Sequence, residues 1–166
     1  MVEGGFEIRP ATMADADALR EILNRIIAIG GTTAHEVPMA LGEFQDLYVG
    51  GPECLSCLIA ETAADEALGF QALTRNPDLP RGWGDIATFT RREPRRPGVG
   101  AALFKATERL ARDLGLVAIN ATIRADNYAG IPYYEKIGFQ TYKVAPAVPL
   151  LDGTTVDRVS KVFRLD

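Results

Sequence analysis

The chain is poor in the residues that hold metals and disulfides. It has one histidine and two cysteines in 166 residues. His35, Cys54 and Cys57 hardly supply a tetrahedral ligand set, so no metal site is expected. Two cysteines are too few for a disulfide framework and suit a reducing, cytoplasmic compartment. The run Cys54-Leu55-Ser56-Cys57 has redox spacing, but no helix signal follows it. In an extended stretch, positions three apart lie ~10 Å from each other, too far for a bridge. No apolar run approaches the ~18–20 residues needed to span a membrane. The start, Met1-Val2-Glu3-Gly4-Gly5, lacks the basic and then apolar pattern of a secretory signal. Positive charge is not in excess either. Eighteen Lys and Arg against 22 Asp and Glu give a formal net charge of −4, which disfavours a nucleic-acid partner. No repeat, low-complexity segment or linker stands out, and a single domain over residues 1–166 is expected.

Within this acidic chain one stretch is basic, Arg91 to Arg96, and it runs into Pro97-Gly98-Val99-Gly100-Ala101. Two glycines one residue apart let a backbone approach a bulky anion. A helix is expected from Ala101 to Leu114, with Leu103, Ala106, Leu110 and Leu114 on one face. Its first turn leaves N–H groups unpaired and carries partial positive charge. A diphosphate placed there accepts those bonds, and the side chains of Arg95 and Arg96 add charge. Pro97, near the helix start, loses only an N–H that has no intrahelical partner. A solvated basic loop before an amphipathic helix is the plain alternative.

A second stretch strengthens the first. Asn127 is followed by Tyr133-Tyr134-Glu135-Lys136-Ile137-Gly138-Phe139. The pair resembles the GNAT superfamily of acyl-CoA-dependent N-acyltransferases. That family's phosphate loop, [Q/R]-x-x-G-x-[G/A], is matched by Arg95, Gly98 and Gly100. Its second signature, N-(x)6-Y-E-[K/R]-x-G-[F/Y], is matched from Asn127 to Phe139.

The rest of the chain fits the resemblance. Phe6 to Arg9 reads as a strand ended by Pro10. Thr12 and Asp15 form a capping pair before a helical stripe of Leu19, Ile22, Leu23, Ile26 and Ile27, and Gly30-Gly31 stops that helix. A second helix is expected over Leu41 to Val49. Strands follow at Cys57–Ala60 and Ala67–Leu73, with a turn at Ala64-Asp65-Glu66, and at Asp85–Thr90. After the phosphate-loop helix come a buried strand, Leu116–Ile123, and a short helix, Tyr128–Ile137, with Pro132 in its first turns. Strands over Phe139–Val144 and Val156–Phe163 close the chain, joined by a turn at Asp152-Gly153. The order β-α-α-β-β-β-α-β-α-β-β is that of the GNAT fold, an α/β (α+β) architecture with a mixed, mostly antiparallel central sheet flanked by helices. The resemblance implies that the fourth and fifth strands splay apart, and that the cofactor's pantetheine arm pairs with the fourth at Thr88, Phe89 and Thr90.

The resemblance also assigns roles. Acyl transfer from a thioester releases a thiolate, and Tyr134, in the Y-E-K position, is placed to protonate it. Tyr133 reads as a packing residue. Asn127 precedes its helix as a cap and by resemblance contacts the cofactor. An attacking amine must lose a proton, which Asp85 takes directly or through a water. Members similar to phosphinothricin N-acetyltransferase carry a glutamate at the position aligned with Asp85, one methylene longer. His35 is the alternative base. The loop of Thr32, Thr33, His35 and Glu36 suits a compact polar acceptor, and Arg75 and Arg81 are candidates to pair with a carboxylate on it.

The resulting expectation is acetyl transfer from acetyl-CoA to the primary amine of a small molecule, amino-acid-like, by direct attack. The C-terminal edge strand offers a surface for a homodimer. Two other readings stay open at the level of sequence. One is a non-catalytic acyl-CoA-binding module, which the presence of Tyr134 argues against. The other is a dinucleotide-binding enzyme using Gly98-Val99-Gly100. Against that, position 103 is Leu rather than Gly, and a long basic loop separates the glycines from the preceding strand. A thermal-shift screen of acetyl-CoA, NAD and ATP separates these readings, as does thiol release with amines.

Overall fold

A computed structural model describes residues 5–166. The first strand, β1 (Phe6–Pro10), leads through a 3-10 turn at Met13–Asp15 into α1 (Ala16–Ile29). The turn is capped as expected, with the Thr12 N–H donating to the Asp15 carboxylate at 2.7 Å. The expected stripe of α1 is buried throughout, and Gly30, at φ +79°, ends the helix in a conformation that only glycine adopts cheaply. A short α2 (Leu41–Phe44) continues as a π-wound turn, Gln45–Val49.

One seven-stranded sheet holds the chain together, in the order β1-β2-β3-β4-β5-β7-β6. Its remaining strands are β2 (Cys54–Thr62), β3 (Ala67–Thr74), β4 (Trp83–Thr90), β5 (Ala118–Arg124), β6 (Gln140–Pro149) and β7 (Thr155–Arg164). All neighbours are antiparallel except β4 and β5, which run parallel. Two further helices, α3 (Val99–Asp113) and α4 (Gly130–Ile137), flank β5 in sequence. Side chains alternate across a strand, so each face builds its own core. On one face α1, α2 and the π turn pack on Phe70, Ala72 and Phe89. On the other, α3 and α4 pack on Leu73, Ile86, Ile119, Ala121 and Ile123. Among the described residues no helix is long and apolar enough to cross a membrane.

Some boundaries and one face differ from expectation. Helix α3 starts two residues earlier than expected, and its buried face is Val99, Leu103, Phe104, Thr107 and Ala111. Leu114 is 50% exposed because Gly115, at φ +77°, closes the helix before that side chain can turn inward. Strand β2 reaches back to Cys54, and both cysteines are free thiols on it. Burial pushes the Cys57 thiol up to about 12, so it is inert as a nucleophile.

The start of α1 is tied to the sheet by ion pairs. Arg9 donates to both Asp15 oxygens at 2.8 Å and to the Glu61 carboxylate at 2.6 and 2.9 Å. The Arg9 hydrogen bonds lower the Asp15 carboxyl from its usual 3.8 to about 2. A lowered carboxylate contributes stability that is complete above the unfolded value and lost as pH falls through the folded one. Between about pH 4 and pH 2 the protein therefore loses this contribution, whereas Asp15→Asn, less stable at pH 5, loses none at this site. Urea unfolding midpoints at pH 5 and 2.5 check this, and the gap between the two proteins narrows at the lower pH.

Candidate active site

The expected phosphate loop, Arg95 to Ala101, covers the end of the β4–α3 connection and the first residues of α3. Gly98 caps the helix at φ +85°, which requires a residue without a Cβ. The first backbone N–H of the helix to find an acceptor inside it is that of Ala102, which donates to Gly98 O at 3.0 Å. The N–H groups before it face outward from the helix end, and Arg95, three residues before Gly98, is exposed. Arg96 is half-buried and reaches toward Gly5 O at 3.5 Å. Gly100 has a packing use besides the one expected. A Cβ there would stand 2.8 Å from Cε1 of Tyr133, so its missing side chain makes room for that ring.

Strands β4 and β5 pair over three residues only, Trp83, Gly84 and Asp85 with Ala118, Ile119 and Asn120. Beyond that rung β5 stays with β7 and β4 stays with β3, so the two strands part. The backbone groups of β4 from Ile86 to Thr90 that point toward β5 have no strand partner. This is the splay that the resemblance implies, with Thr88, Phe89 and Thr90 on its β4 bank.

Tyr134 enters from the α4 side. It is 7% exposed, and its phenol stands 2.9 Å from Thr88 Oγ1. Burial, then the neighbouring Tyr133, raise its pKa well above that of an ordinary phenol, so it is protonated at neutral pH. Tyr133 is more than a packing residue. Its O–H donates to Gly100 O at 2.8 Å, and its oxygen accepts from Gln71 Nε2 at 3.1 Å. Burial pushes its pKa up to about 12.

Asp85 stands on the last paired rung, with its side chain on the α1 side of the sheet beside Ala87 and Phe89. Its two oxygens accept from Asn76 Nδ2 at 3.0 Å and Asn120 Nδ2 at 2.9 Å. Asn120 Oδ1 in turn accepts from the Tyr142 hydroxyl at 2.6 Å. After burial, the Asp85 charge is among the causes that raise Tyr48, Tyr134 and Tyr142. The carboxylate is thus within electrostatic reach of all three phenols. The splay opens between Asp85 on one face and Tyr134 on the other.

The loop of Thr32, Thr33, His35 and Glu36 bridges the two banks. His35 packs its ring 6.4 Å from that of Phe89 on β4, and its Nε2 lies 2.7 Å from the Tyr48 hydroxyl. Burial lowers the His35 pKa, so the imidazole is neutral at pH 7. On the β5 bank, Thr32 O accepts from Asn127 Nδ2 at 3.0 Å and Thr33 O from Arg124 Nη1 at 3.4 Å. Asn127 Oδ1 accepts the Gly130 N–H at 2.8 Å, so both ends of this amide are used within the chain, one of them at the start of α4. Glu36 accepts the Leu151 N–H at 2.8 Å. Arg75 and Arg81 are exposed on the β3–β4 loop, Arg75 beside the Asn76 that holds Asp85.

A model of the family described as "Acetyltransferase (GNAT) family" matches residues 18–139. The chain belongs to the GNAT acetyltransferases. A relative of this GNAT chain is YwnH of Bacillus subtilis (strain 168), named as a phosphinothricin acetyltransferase candidate. It is 24% identical over 153 residues, 90% of this chain and 93% of that protein. Among solved structures, an N-acetyltransferase from Staphylococcus aureus Mu50 superposes with a TM-score of 0.84 at 19% identity, over 97% of this chain and 99% of that one. A GNAT superfamily phosphinothricin acetyltransferase from Sinorhizobium meliloti, solved in complex with acetyl-CoA, gives 0.81 at 20% identity, over 96% and 88%. At such identities these structures show the shared fold.

Sequence reasoning missed several residues of this GNAT site. Gln71, Asn76, Tyr48, Asn120, Arg124 and Tyr142 each hydrogen-bond an expected site residue or its neighbour. Gln71 and Asn120 carried a usable signal, since each is a lone amide in a mostly apolar strand. A cavity of ≈ 600 Å³ lies elsewhere, between α1 and the loop after β4, lined by Ile22, Ile26, Ile29, Arg25 and Arg91 among others. None of the expected site residues lines it.

Proposed function

We propose that this enzyme moves an acetyl group from acetyl-CoA to the primary amine of a small, amino-acid-like molecule. The observation that carries the reading is the split between β4 and β5, with a protonated phenol on one side and a carboxylate on the other. Val99, Gly100 and Ala101 present the α3 N-terminus to the diphosphate, with Arg95 and Arg96 beside it and Pro97 and Gly98 shaping the approach. Thr88 to Thr90 pair with the pantetheine arm as an added strand, and a β4 N–H receives the charge that grows on the thioester oxygen. Asn127 holds α4 against the Thr32 loop and so shapes the mouth of the cofactor site.

Chemistry then needs two proton transfers. The ammonium form of the acceptor loses one proton to solvent, and the free amine attacks the thioester carbon. The adduct's second N–H proton passes through a water to Asp85. As the carbon–sulfur bond breaks, the thiolate takes the proton of Tyr134 and leaves as a thiol. The phenolate and the carboxylic acid return to their resting forms through solvent, with one proton released net. Asp85 is preferred to His35 as the base because its carboxylate keeps free lone pairs beside its two amide donors, whereas the single site on His35 Nε2 is taken by Tyr48. His35, Thr32, Thr33 and Glu36 line the acceptor side, and Arg75, with Arg81 further along the same loop, takes the acceptor's carboxylate.

The test is thiol release from acetyl-CoA with methionine sulfoximine, phosphinothricin, ordinary amino acids, polyamines, an aminoglycoside and a lysine-rich peptide. Turnover of one or more amino-acid-like amines is the expected result. Turnover confined to the polyamines, aminoglycoside or peptide would remove the amino-acid reading.

A further inference from the structure

Four side chains form an unbroken chain of hydrogen bonds from the phosphate loop to the proposed acid. Tyr133 Oη stands 2.8 Å from Gly100 O, Gln71 Nε2 stands 3.1 Å from Tyr133 Oη and 2.9 Å from Thr88 Oγ1, and Thr88 Oγ1 stands 2.9 Å from Tyr134 Oη. Gln71 is 0% exposed, so its own two bonds are made away from bulk water, while Thr88 and Tyr133 are half-buried.

The direction of the first three bonds follows from the first member. A backbone carbonyl only accepts. Two oxygens 2.8 Å apart share a proton, and here only Tyr133 has one to give. The Tyr133 oxygen is therefore an acceptor toward Gln71, which must present its NH2 and not its carbonyl. The same NH2 faces Thr88, so Thr88 Oγ1 accepts there and keeps its own proton free to give to Tyr134 Oη. When Thr88 gives it, the Tyr134 proton points away from Thr88. Gln71 Oε1 bears the cost of this arrangement, being buried without a partner among the described residues.

We infer that Gln71 is a positioning residue for acetyl transfer, and that with Tyr133 and Thr88 it transmits a fixed hydrogen-bond polarity from Gly100 O that frees the Tyr134 proton for the departing thiolate. The inference rests on the role proposed above for Tyr134. With the opposite polarity Tyr134 would spend its proton on Thr88 and be a poor acid. With the inferred polarity the Thr88 hydroxyl also donates to the phenolate left behind, which eases the transfer. The chain ties the acid to the loop proposed to hold the cofactor, because a displacement of Gly100 reaches Tyr133 directly.

Two measurements test this. Neutron diffraction of perdeuterated protein locates the hydroxyl deuterons without any substrate. A deuteron on Thr88 Oγ1 directed at Tyr134 is expected, and one on Tyr134 directed at Thr88 overturns the inference. The second is a double-mutant cycle on kcat, with acetyl-CoA and the fastest amine of the panel. Gln71→Met keeps the length and removes both bonds, and should lower kcat about tenfold with KM for acetyl-CoA unchanged. Gln71→Glu presents acceptors to both hydroxyls, reverses the polarity and should lower kcat further. In a Tyr134→Phe background Gln71→Met should cost nothing more. Equal losses in both backgrounds would show a structural role and overturn the inference, whereas a silent Tyr134→Phe would instead overturn the acid. Should the Gln71 variants not fold, the deuteron positions alone decide.

Discussion

Tyr134→Phe lowers kcat by roughly ten- to a thousandfold and leaves the affinity for acetyl-CoA nearly intact. The hydroxyl acts on a group that exists only as the carbon–sulfur bond breaks, so its loss falls on the transition state and not on ground-state binding. The fold should tolerate the change. The ring keeps its edge-on contacts with Tyr133 and Phe139, at centroid distances of 4.8 and 5.1 Å. Among the described residues one hydrogen bond, to Thr88, is lost. Steady-state thiol release gives kcat, and calorimetry with acetyl-CoA gives the affinity. A kcat that is unchanged while chemistry limits the rate would take the acid role from Tyr134.

Gly100→Val is expected to weaken acetyl-CoA binding through Tyr133. A Cβ at this position stands 2.8 Å from Cε1 and 3.3 Å from Cζ of the ring. Such contacts are too close to persist, and the ring belongs to a helix that cannot yield freely. Overpacking of this kind costs about 1–3 kcal/mol, and if the strain falls on the loop the affinity drops by about five- to a hundredfold. Displacing the ring also breaks the Tyr133–Gly100 bond, so kcat should fall with the affinity, which Tyr134→Phe does not do. Calorimetry on a variant shown by thermal melting to be folded settles the first part. Unchanged affinity would mean that strain between Gly100 and Tyr133 does not reach the cofactor site.

The two motifs that announced the family are local in sequence and local in space. Gly98 acts on the backbone it belongs to, Asn127 caps a helix three residues away, and Gly100 meets the other motif at Tyr133. The splay between β4 and β5 followed from resemblance, since no feature of either strand's own sequence says where pairing stops. Gln71 and Asn120 show what the sequence does not display. Their partners are 17, 62 and 35 positions away, and a lone amide in a mostly apolar strand does not name the group it meets across a sheet. Helix α3 shows a subtler limit. Its period was plain, but the buried face is rotated from the leucine row, because Phe104 and Thr107 turn inward and Leu114 turns out. Periodicity fixes how often a helix buries a residue, and packing against a particular sheet fixes which ones.

The rung of Asp85 and Asn120 is the last stitch of a three-stitch seam between two half-sheets. Everything below it is ordinary parallel pairing, and everything above it is cleft. The proposed base is therefore also a fastening, and the depth of the pocket is counted in residues of backbone pairing rather than set by the size of side chains. A single insertion or deletion in this stretch of β4 or β5 would shift the closing rung, carry the carboxylate to the opposite face and leave the composition of the chain almost unaltered. Variation that retunes this enzyme for another acceptor is accordingly free in the loops that overhang the cleft and forbidden at its floor.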